Sequence, residues 1–458
     1  MRRLAPLPEE GASRRIAAKR DAPSMTSASS RRNRVRVAAL DVVHSRRWTT
    51  VLVGPLELPP RAQLLERYAA LVERGVSARL SLEPSLESRR WQQLPIDASK
   101  VITAIDAAPR GEPSTALVPL VRAMRTTDIA GGVRILCAGD QLAIDFCHGL
   151  GEVALVHLIL DVLLGAVDPR DPDLLAPYRN RLSPLVRAGL QTFGTSPRRV
   201  AAVLAEYRQR ATRSVTDLPP DQVREPFRPA ATTGVVGLPS AAVAELRERR
   251  DASLPGVSLV ALSTQALWEA FTDTDLAVDD SVTIPFDVRR YLRAGTSTLS
   301  PFTAGLDYIL GAGDGPRQLQ ADMDRSARSG RPVANLLMGT VKTRLGRRRA
   351  VADVHPVRPR MRLLHSNVGT PERSGRWPFT DPRSGYMLVA SDPAGPEGVT
   401  VTSAAMSGNL WLTAEFHGSV FGPDQVETAL GTVADRMYDL TSGGHSRLAA
   451  CQNRPLPR

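Results

Sequence analysis

The stretch that decides the fold is LAIDFCHGLGEVALVHLILDVLL, residues 142–164. Its opening alternation of apolar and other residues is typical of a strand, and this strand ends at His148. A Gly-Leu-Gly segment follows, and the mostly apolar sequence from Glu152 to about residue 166 predicts a buried helix. The chain has only seven histidines. The one at this strand–helix junction is therefore the first candidate for chemistry.

A histidine in this position is suited to act as a general base. The end of a strand fixes the backbone and so aims the imidazole, which in its neutral form accepts a proton near neutral pH. Glu152 in the first helical turn complements the helix dipole, and Gly149 and Gly151 allow a tight loop. An ordinary histidine in a strand–helix corner would explain the same residues, so the spacing alone leaves both interpretations open.

The positive charge of the chain is concentrated at its start. The formal net charge is +12, but residues 1–37 hold ten basic and only three acidic residues. This composition predicts a disordered basic extension over residues 1–34. With 5% aromatic residues and no basic-aromatic platform, the sequence does not indicate a nucleic-acid-binding protein.

Cysteine usage and hydropathy indicate a cytoplasmic protein. The chain has three cysteines and no CxxC pair, a pattern that favours neither a disulfide framework nor a zinc site. We therefore expect no metal. The longest apolar run, residues 153–167, is interrupted by His157 and Asp161 and is too short and too polar to cross a bilayer. No transmembrane segment is expected.

The order of predicted elements indicates an α+β fold with two similar lobes, each a mixed sheet with helices, and a candidate site in the cleft between them. The predicted lobes cover residues 35–180 and 241–445, with a crossover over 181–240 and a tail at 446–458. Strands are predicted at 35–43, 77–84, 100–107 and 359–369, hairpins at 132–146 and 398–418, and helices at 59–75, 115–126, 198–211, 257–271, 317–330 and 422–440. A further strand near residue 282 is expected to turn at Pro285.

Other candidate sites are weaker. GAGDGP at 311–316 imitates the glycine loop of a dinucleotide site, but Pro316 stands where the third glycine belongs. His365 either lines the cleft or is an ordinary strand-end histidine. His157 is expected to pack in the helix or lie at its surface, and His417 has no cluster of metal ligands beside it. No GxSxG elbow or Walker loop occurs.

FCHGLGEV, residues 146–153, resembles the HxxxDG motif of the condensation-domain and acyltransferase superfamily. Further resemblances follow in the family's order, from 54–82 through TIPFDVRRYL (283–292) and HSNVGTPE (365–372) to a final hairpin and helix at 408–430. They cover about residues 35–445. The motif is degenerate: Glu152 replaces the family's Asp, Val153 replaces its Gly, and Cys147 stands where many members have a second His.

The resemblance implies a chloramphenicol-acetyltransferase-like fold and an acyltransferase. His148 would deprotonate a hydroxyl or amine of a small-molecule acceptor, which attacks the thioester of coenzyme A or of an acidic carrier protein. Glu152 would support the loop by pairing with Arg289 or Arg290. Ser366 and Asn367 are candidate oxyanion or substrate contacts. The thioester would be a co-substrate, and no permanently bound cofactor is implied.

The departures from the motif leave a second hypothesis open. The fold is also compatible with a non-catalytic binding or recruitment module in which the motif has decayed. A valine at position 153 favours this alternative, because glycine adopts backbone conformations that valine does not. The retained His148 favours the enzyme. The position of its imidazole relative to an open cleft distinguishes the two.

Overall fold

The computed structural model describes residues 33–105, 113–125, 131–179, 182–194, 196–213, 223–311, 315–345 and 354–442. Most of the predicted extension and the whole of the predicted tail lie outside these ranges. The helices of the described residues are α1 (Ala39–His44), α2 (Arg61–Val72), α3 (Ala98–Val101), α4 (Pro113–Arg125), α5 (Val153–Leu163), α6 (Pro184–Gly189), α7 (Pro197–Arg213), α8 (Ser240–Ser253), α9 (Leu259–Thr272), α10 (Gly315–Ser329), α11 (Arg331–Arg344) and α12 (Pro423–Thr441).

The strands form two large mixed sheets and two small ones. The strands of the described residues are β1 (Arg34–Arg36), β2 (Trp48–Gly54), β3 (Leu82–Glu83), β4 (Arg90–Gln93), β5 (Ile102–Ile105), β6 (Val133–Ala138), β7 (Gln141–Cys147), β8 (Arg224–Pro226), β9 (Ala231–Leu238), β10 (Val278–Asp287), β11 (Thr303–Ile309), β12 (Val354–Pro356), β13 (Met361–Gly369), β14 (Tyr386–Ser391), β15 (Gly398–Met406) and β16 (Asn409–His417). The first large sheet has the order β14-β2-β7-β6-β5, and the second has the order β11-β10-β13-β15-β16-β9.

This architecture confirms the expected α+β fold with two lobes. Each lobe has its own apolar core, one around the first large sheet and one around the second. In the first lobe, α5 has eight buried residues and is apolar on nearly every side. Fully burying a leucine- or valine-sized side chain contributes about 1.5–3 kcal/mol. Packing therefore stabilises this eleven-residue helix more than its intrinsic propensity does.

The first large sheet positions the histidine. Every residue of β7 is buried, because this strand lies between β2 and β6 and both of its faces are covered. It pairs antiparallel with β6, which confirms the hairpin predicted at 132–146, and antiparallel with β2, with Trp48 opposite Cys147.

Each large sheet includes a strand from outside the residue range predicted for its lobe. Strand β14, from the range predicted for the second lobe, completes the first sheet by pairing with β2, where Leu388 lies opposite Leu52. Strand β9, from the range predicted as a crossover, is the edge of the second sheet and pairs with β16. Trp377, just before β14, also packs in the core of the first lobe.

The strand predicted at 35–43 is wrong. The strand ends at Arg36, and residues Ala39–His44 form helix α1. The alternation of apolar residues in this segment fits a short helix as well as a strand. The decisive interaction is local: the backbone N–H of Ala38 donates to the Asp41 carboxylate at 3.0 Å, as an N-terminal helical turn requires.

Three further strand predictions need correction. The strand predicted at 77–84 is reduced to Leu82–Glu83, since Arg79 has a φ of 65° that interrupts an extended chain. The strand predicted at 100–107 begins only at Ile102, after α3, and its last two residues lie outside the described ranges. Strand β10 does not turn at Pro285 but continues to Asp287. Beyond Thr283 it pairs only with β11, so the missing N–H of proline is tolerated.

Candidate active site

A cavity of about 380 Å³ lies between the two large sheets. It is the cleft that the two-lobed architecture predicts. Alternate residues of each strand face it, because side chains in a strand point to opposite sides in turn. From the strands, the cavity is lined by Thr49, Val51, Phe146, Thr283, Pro285, Thr303, Gly305, Leu364, Ser366, Val368, Met387, Val389, Ser391, Thr400 and Thr402.

His148 lines this cavity. Its backbone N–H donates to the carbonyl of Arg47 at 2.8 Å and so extends the β2–β7 ladder by one bond. The Nδ1 atom is buried and makes no hydrogen bond to another described residue. An unsatisfied buried polar group costs about 1–3 kcal/mol and calls for an explanation, of which a functional role is one. Burial lowers the pKa of His148 below its ordinary value, so the imidazole is neutral at pH 7.

The loop after His148 passes very close to neighbouring backbone. A Cβ atom on Gly149 would lie 2.5 Å from the carbonyl oxygen of Asp41 and would also meet the Ser45 hydroxyl. A Cβ atom on Gly151 would lie 2.7 Å from the carbonyl oxygen of Leu299. Real Cβ atoms do not approach backbone so closely, and glycine is the residue that permits this approach. The two glycines therefore let the loop lie flat against the second lobe and α1.

Glu152 and Arg289 form a buried ion pair across the two lobes. Arg289 Nη1 donates to Glu152 Oε2 at 3.1 Å, and the other Glu152 contacts are the backbone N–H groups of Phe302 at 3.0 Å and Thr303 at 3.2 Å. Burial by itself raises the pKa of the carboxyl, but the Arg289 guanidinium, His148 and the hydrogen bonds from Phe302 and Thr303 together more than offset this, so the pKa is lowered. Of the two predicted partners, Arg289 makes the contact, while Arg290 is exposed.

The two other departures from the HxxxDG pattern fit the structure without strain. Val153 is the first residue of α5, and the only described non-glycine residues with positive φ are Arg79 and Ser407. No glycine conformation is needed at position 153. The Cys147 thiol contacts the carbonyl of Ser45 at 3.5 Å, and burial raises its pKa. This thiol is therefore protonated at neutral pH.

Arg79 supports the histidine loop and was not predicted. Its guanidinium donates to the carbonyls of Leu150 at 2.5 Å and Gly149 at 3.1 Å, and to the Asp41 carboxylate at 3.0 Å. Arg79 holds a positive φ of 65°, which a non-glycine residue adopts only when its surroundings enforce it. No local sequence pattern marks this residue, since its partners lie about 40 and 70 positions away.

Two more histidines line the cavity. The His44 ring stacks on the His148 ring, with centroids 5.1 Å apart and an interplanar angle of 25°. Burial and the neighbouring His148 lower the pKa of His44 to about 3, and burial lowers that of His157 to about 4. Both rings are therefore neutral. His157 was expected to pack or to lie at the surface, and His44, which directly follows the segment predicted as a strand, was missed.

The structure separates the remaining candidates. Ser366 lines the cavity, whereas the adjacent Asn367 side chain is exposed and accepts a hydrogen bond from Gly369 N at 2.9 Å. The structure thus brings Ser366, but not Asn367, to the cavity. His365 is fully buried between Thr264 and Ser403, so the interpretation as an ordinary strand histidine is the correct one. His417 packs against Phe227.

Within the described ranges, no group of three or more His, Cys, Asp or Glu side chains is arranged to hold a metal ion. No helix of the described residues is long and apolar enough to span a membrane.

No protein-family model and no curated protein sequence matches the chain. Solved structures do match it. The epimerization domain from the third module of tyrocidine synthetase B is 13% identical, with a TM-score of 0.54, and the match covers 90% of this chain and 97% of that domain. Trichothecene 15-O-acetyltransferase from Fusarium sporotrichioides is 10% identical, with a TM-score of 0.56 and coverages of 89% and 95%. The nonribosomal peptide synthetase condensation enzyme VibH is 14% identical, with a TM-score of 0.51 and coverages of 89% and 92%.

At these identities the likeness defines the fold. The chain has the fold that condensation domains and chloramphenicol-acetyltransferase-like acyltransferases share, over about nine-tenths of its length. This confirms the fold that the resemblance of the degenerate HGLGEV motif implies.

Proposed function

We propose that the protein is an acyltransferase that moves an acyl group from a thioester to a hydroxyl or amine of a small molecule, with His148 as the general base. The observation that carries this proposal is a neutral imidazole at the wall of a cavity between two lobes. Its loop is held by a buried ion pair from the opposite lobe. General base catalysis needs this protonation state and an open path to the substrate.

The reaction needs no covalent acyl-enzyme. The His148 imidazole removes the acceptor proton as the acceptor oxygen or nitrogen attacks the thioester carbonyl. The tetrahedral intermediate then collapses, the C–S bond breaks, and the imidazolium returns the proton to the leaving thiolate. The Ser366 hydroxyl, which lines the same cavity, is a candidate donor to the oxyanion.

The donor is a co-substrate and not a resident cofactor. Either acyl-coenzyme A or an acyl group on an acidic carrier protein would supply the thioester. VibH is titled a nonribosomal peptide synthetase condensation enzyme, and the trichothecene enzyme is titled an O-acetyltransferase. Both kinds of chemistry are therefore compatible with this fold, and we propose a role for this chain in natural-product biosynthesis.

The geometry at position 153 supports the enzyme over the non-catalytic alternative. The departures from the motif, Val153 among them, favoured that alternative. Val153 is the first residue of α5 and lines the same cavity as His148.

Thiol release tests the proposal. We would incubate wild type and His148→Ala with a panel of acyl-coenzyme A esters, with the same acyl groups on a carrier protein, and with simple hydroxyl and amine acceptors. Loss of a general base costs about 10²–10⁴-fold in rate, so release should fall by that factor in the variant. His355→Ala, which removes an imidazole outside the cavity, is the matched control. Background release from every donor by the wild type would refute the proposal and favour a binding module.

A further inference from the structure

Arg47 is the residue on which a further inference rests, and its position is fixed beside the candidate base. It lies in the turn between α1 and β2. Its backbone N–H donates to the carbonyl of His44 at 3.1 Å, and its carbonyl accepts from His148 N–H at 2.8 Å. The Arg47 side chain lines the cavity. A cation is therefore held within a side chain's reach of the proposed reacting centre.

The guanidinium of Arg47 differs from the other two at this site. Arg79 and Arg289 each donate to several protein acceptors, including backbone carbonyls and a buried carboxylate. Among the described residues, no side chain or carbonyl accepts a hydrogen bond from the Arg47 guanidinium. Burial lowers the pKa of Arg47, and the Asp392 carboxylate acts in the opposite direction. Asp392 Oδ2 accepts from Trp48 N–H at 2.8 Å.

An arginine side chain facing a cavity wall of threonine, serine and apolar groups has five donors to satisfy. Donors that face the cavity are available to an acceptor on its occupant. The other charged side chains lining the cavity are Glu152, which is paired with Arg289, and Asp392. The positive charge of Arg47 therefore fits an acceptor that arrives with the occupant of the cavity.

The chemistry of that occupant follows from position and charge. A phosphate of the donor does not suit this position. When the thioester lies at His148, the pantetheine arm separates it from the phosphates and carries them out of the cavity. A carboxylate suits it, since the planar guanidinium donates two parallel hydrogen bonds to a carboxylate. The nearby Asp392 disfavours groups of higher negative charge.

We propose that Arg47 binds a carboxylate carried by the acyl group or by the acceptor, so that the protein acts on an acidic small molecule. This inference deepens the proposed function and rests on it for the meaning of "donor" and "acceptor". Its physical content, selective binding of a carboxylate in the cavity, is measured without turnover.

The experiment compares matched carboxylate and neutral ligands by titration calorimetry on the full chain. Succinyl-coenzyme A against butyryl-coenzyme A examines the acyl group, and 3-hydroxybutyrate against 3-hydroxybutyramide examines the acceptor. A charge-assisted hydrogen bond corresponds to about 10- to 100-fold in affinity. We expect a preference of that size for the carboxylate ligand in one of the two ligand pairs. The pair that shows the preference tells whether the acyl group or the acceptor carries the carboxylate.

Variants assign the preference to Arg47. Arg47→Gln should abolish the preference for the carboxylate ligand. Arg47→Lys should retain part of this preference, because lysine keeps the positive charge but cannot donate two parallel hydrogen bonds from a planar group. The exposed neighbour Arg46 supplies the matched control, Arg46→Gln, which should keep the full preference. Equal affinity within both pairs in the wild type, or a preference that survives Arg47→Gln, overturns the inference. Thiol release that depends on His148 is measured in a separate assay. The proposed function can therefore stand when this inference fails, and this inference can stand when the proposed function fails.

Discussion

Removal of the Arg289 side chain should destabilise the protein strongly, because it leaves a buried carboxylate without its countercharge. The guanidinium donates to Glu152 at 3.1 Å and to the carbonyls of Thr298 and Ser300 at 2.9 Å each. The side chains of Arg289 and Glu152 are only 14% and 7% exposed. The second carboxylate partner, Asp287, is 59% exposed and contributes little.

Breaking a buried pair by deleting one partner costs about 3–5 kcal/mol, most of it from the charge left behind. Arg289→Met keeps most of the side-chain volume and removes the charge, so we expect a loss of that size in the free energy of unfolding. The double variant Glu152→Gln, Arg289→Met should be more stable than Arg289→Met alone by at least about 1 kcal/mol, because a neutral amide does not need a cation.

Urea denaturation followed by circular dichroism measures these changes, with the transition midpoint as the primary readout. The matched control is Arg290→Met at the exposed neighbouring position, which should shift stability by no more than about 0.5 kcal/mol. Equal losses of stability in Arg289→Met and Arg290→Met would refute the reasoning. Strictly additive effects of Glu152→Gln and Arg289→Met would also refute it, since residues that form an ion pair must couple.

Three further predictions concern the histidine loop. Because burial lowers the pKa of His148, kcat/KM for thiol release should decline only below pH 6.5 as the imidazole becomes protonated; a midpoint above pH 6.5 contradicts the assigned environment. Gly151→Ala should cost about 1–3 kcal/mol by overpacking against the carbonyl of Leu299, measured by denaturation, and an unchanged midpoint would show that the loop yields easily. His44→Ala should lower kcat about 2- to 10-fold through loss of the stacked ring beside His148, while His44→Phe should retain most activity; equal rates in both variants would exclude a role for the stacking.

Part of the candidate site could be predicted from sequence because its residues are close together in the chain. His148, its two glycines and Glu152 occupy one strand–loop–helix segment, and local patterns specify such a segment. Arg289 entered through the resemblance of TIPFDVRRYL, residues 283–292, to a segment of the superfamily. The functional roles of these residues remain predictions that the experiments above test.

The residues that were missed belong to the site through long-range contacts. Arg79 reaches the histidine loop from about 70 residues away, in a segment predicted to be a strand. His44 stacks on His148 across 104 positions of sequence because α1, not a strand, precedes β2. His157 was singled out, but its position five residues into an apolar helix did not show that this face of the helix meets the cavity.

The secondary-structure predictions show the same difference between local and distant interactions. The hairpin at 398–418 was confirmed, since Ser407 and Gly408 both have positive φ, as a tight two-residue turn between twisted strands requires. Strand β14 was missed, because what makes Tyr386–Ser391 a strand is its pairing with β2, more than 330 residues earlier.

The sequence by itself determined the elements whose stabilising interactions are local: the period of the apolar residues, the turns, and the strand–His–Gly loop–helix segment that resembles HxxxDG. The tertiary structure decided which strands of the two halves pair and which side chains face one cavity. It also decided how each charge is compensated, with Glu152 paired to Arg289 and Arg47 directed into the cavity. The physical reason is that burial and electrostatic compensation depend on distances in space, and those distances exist only after segments hundreds of residues apart have packed together.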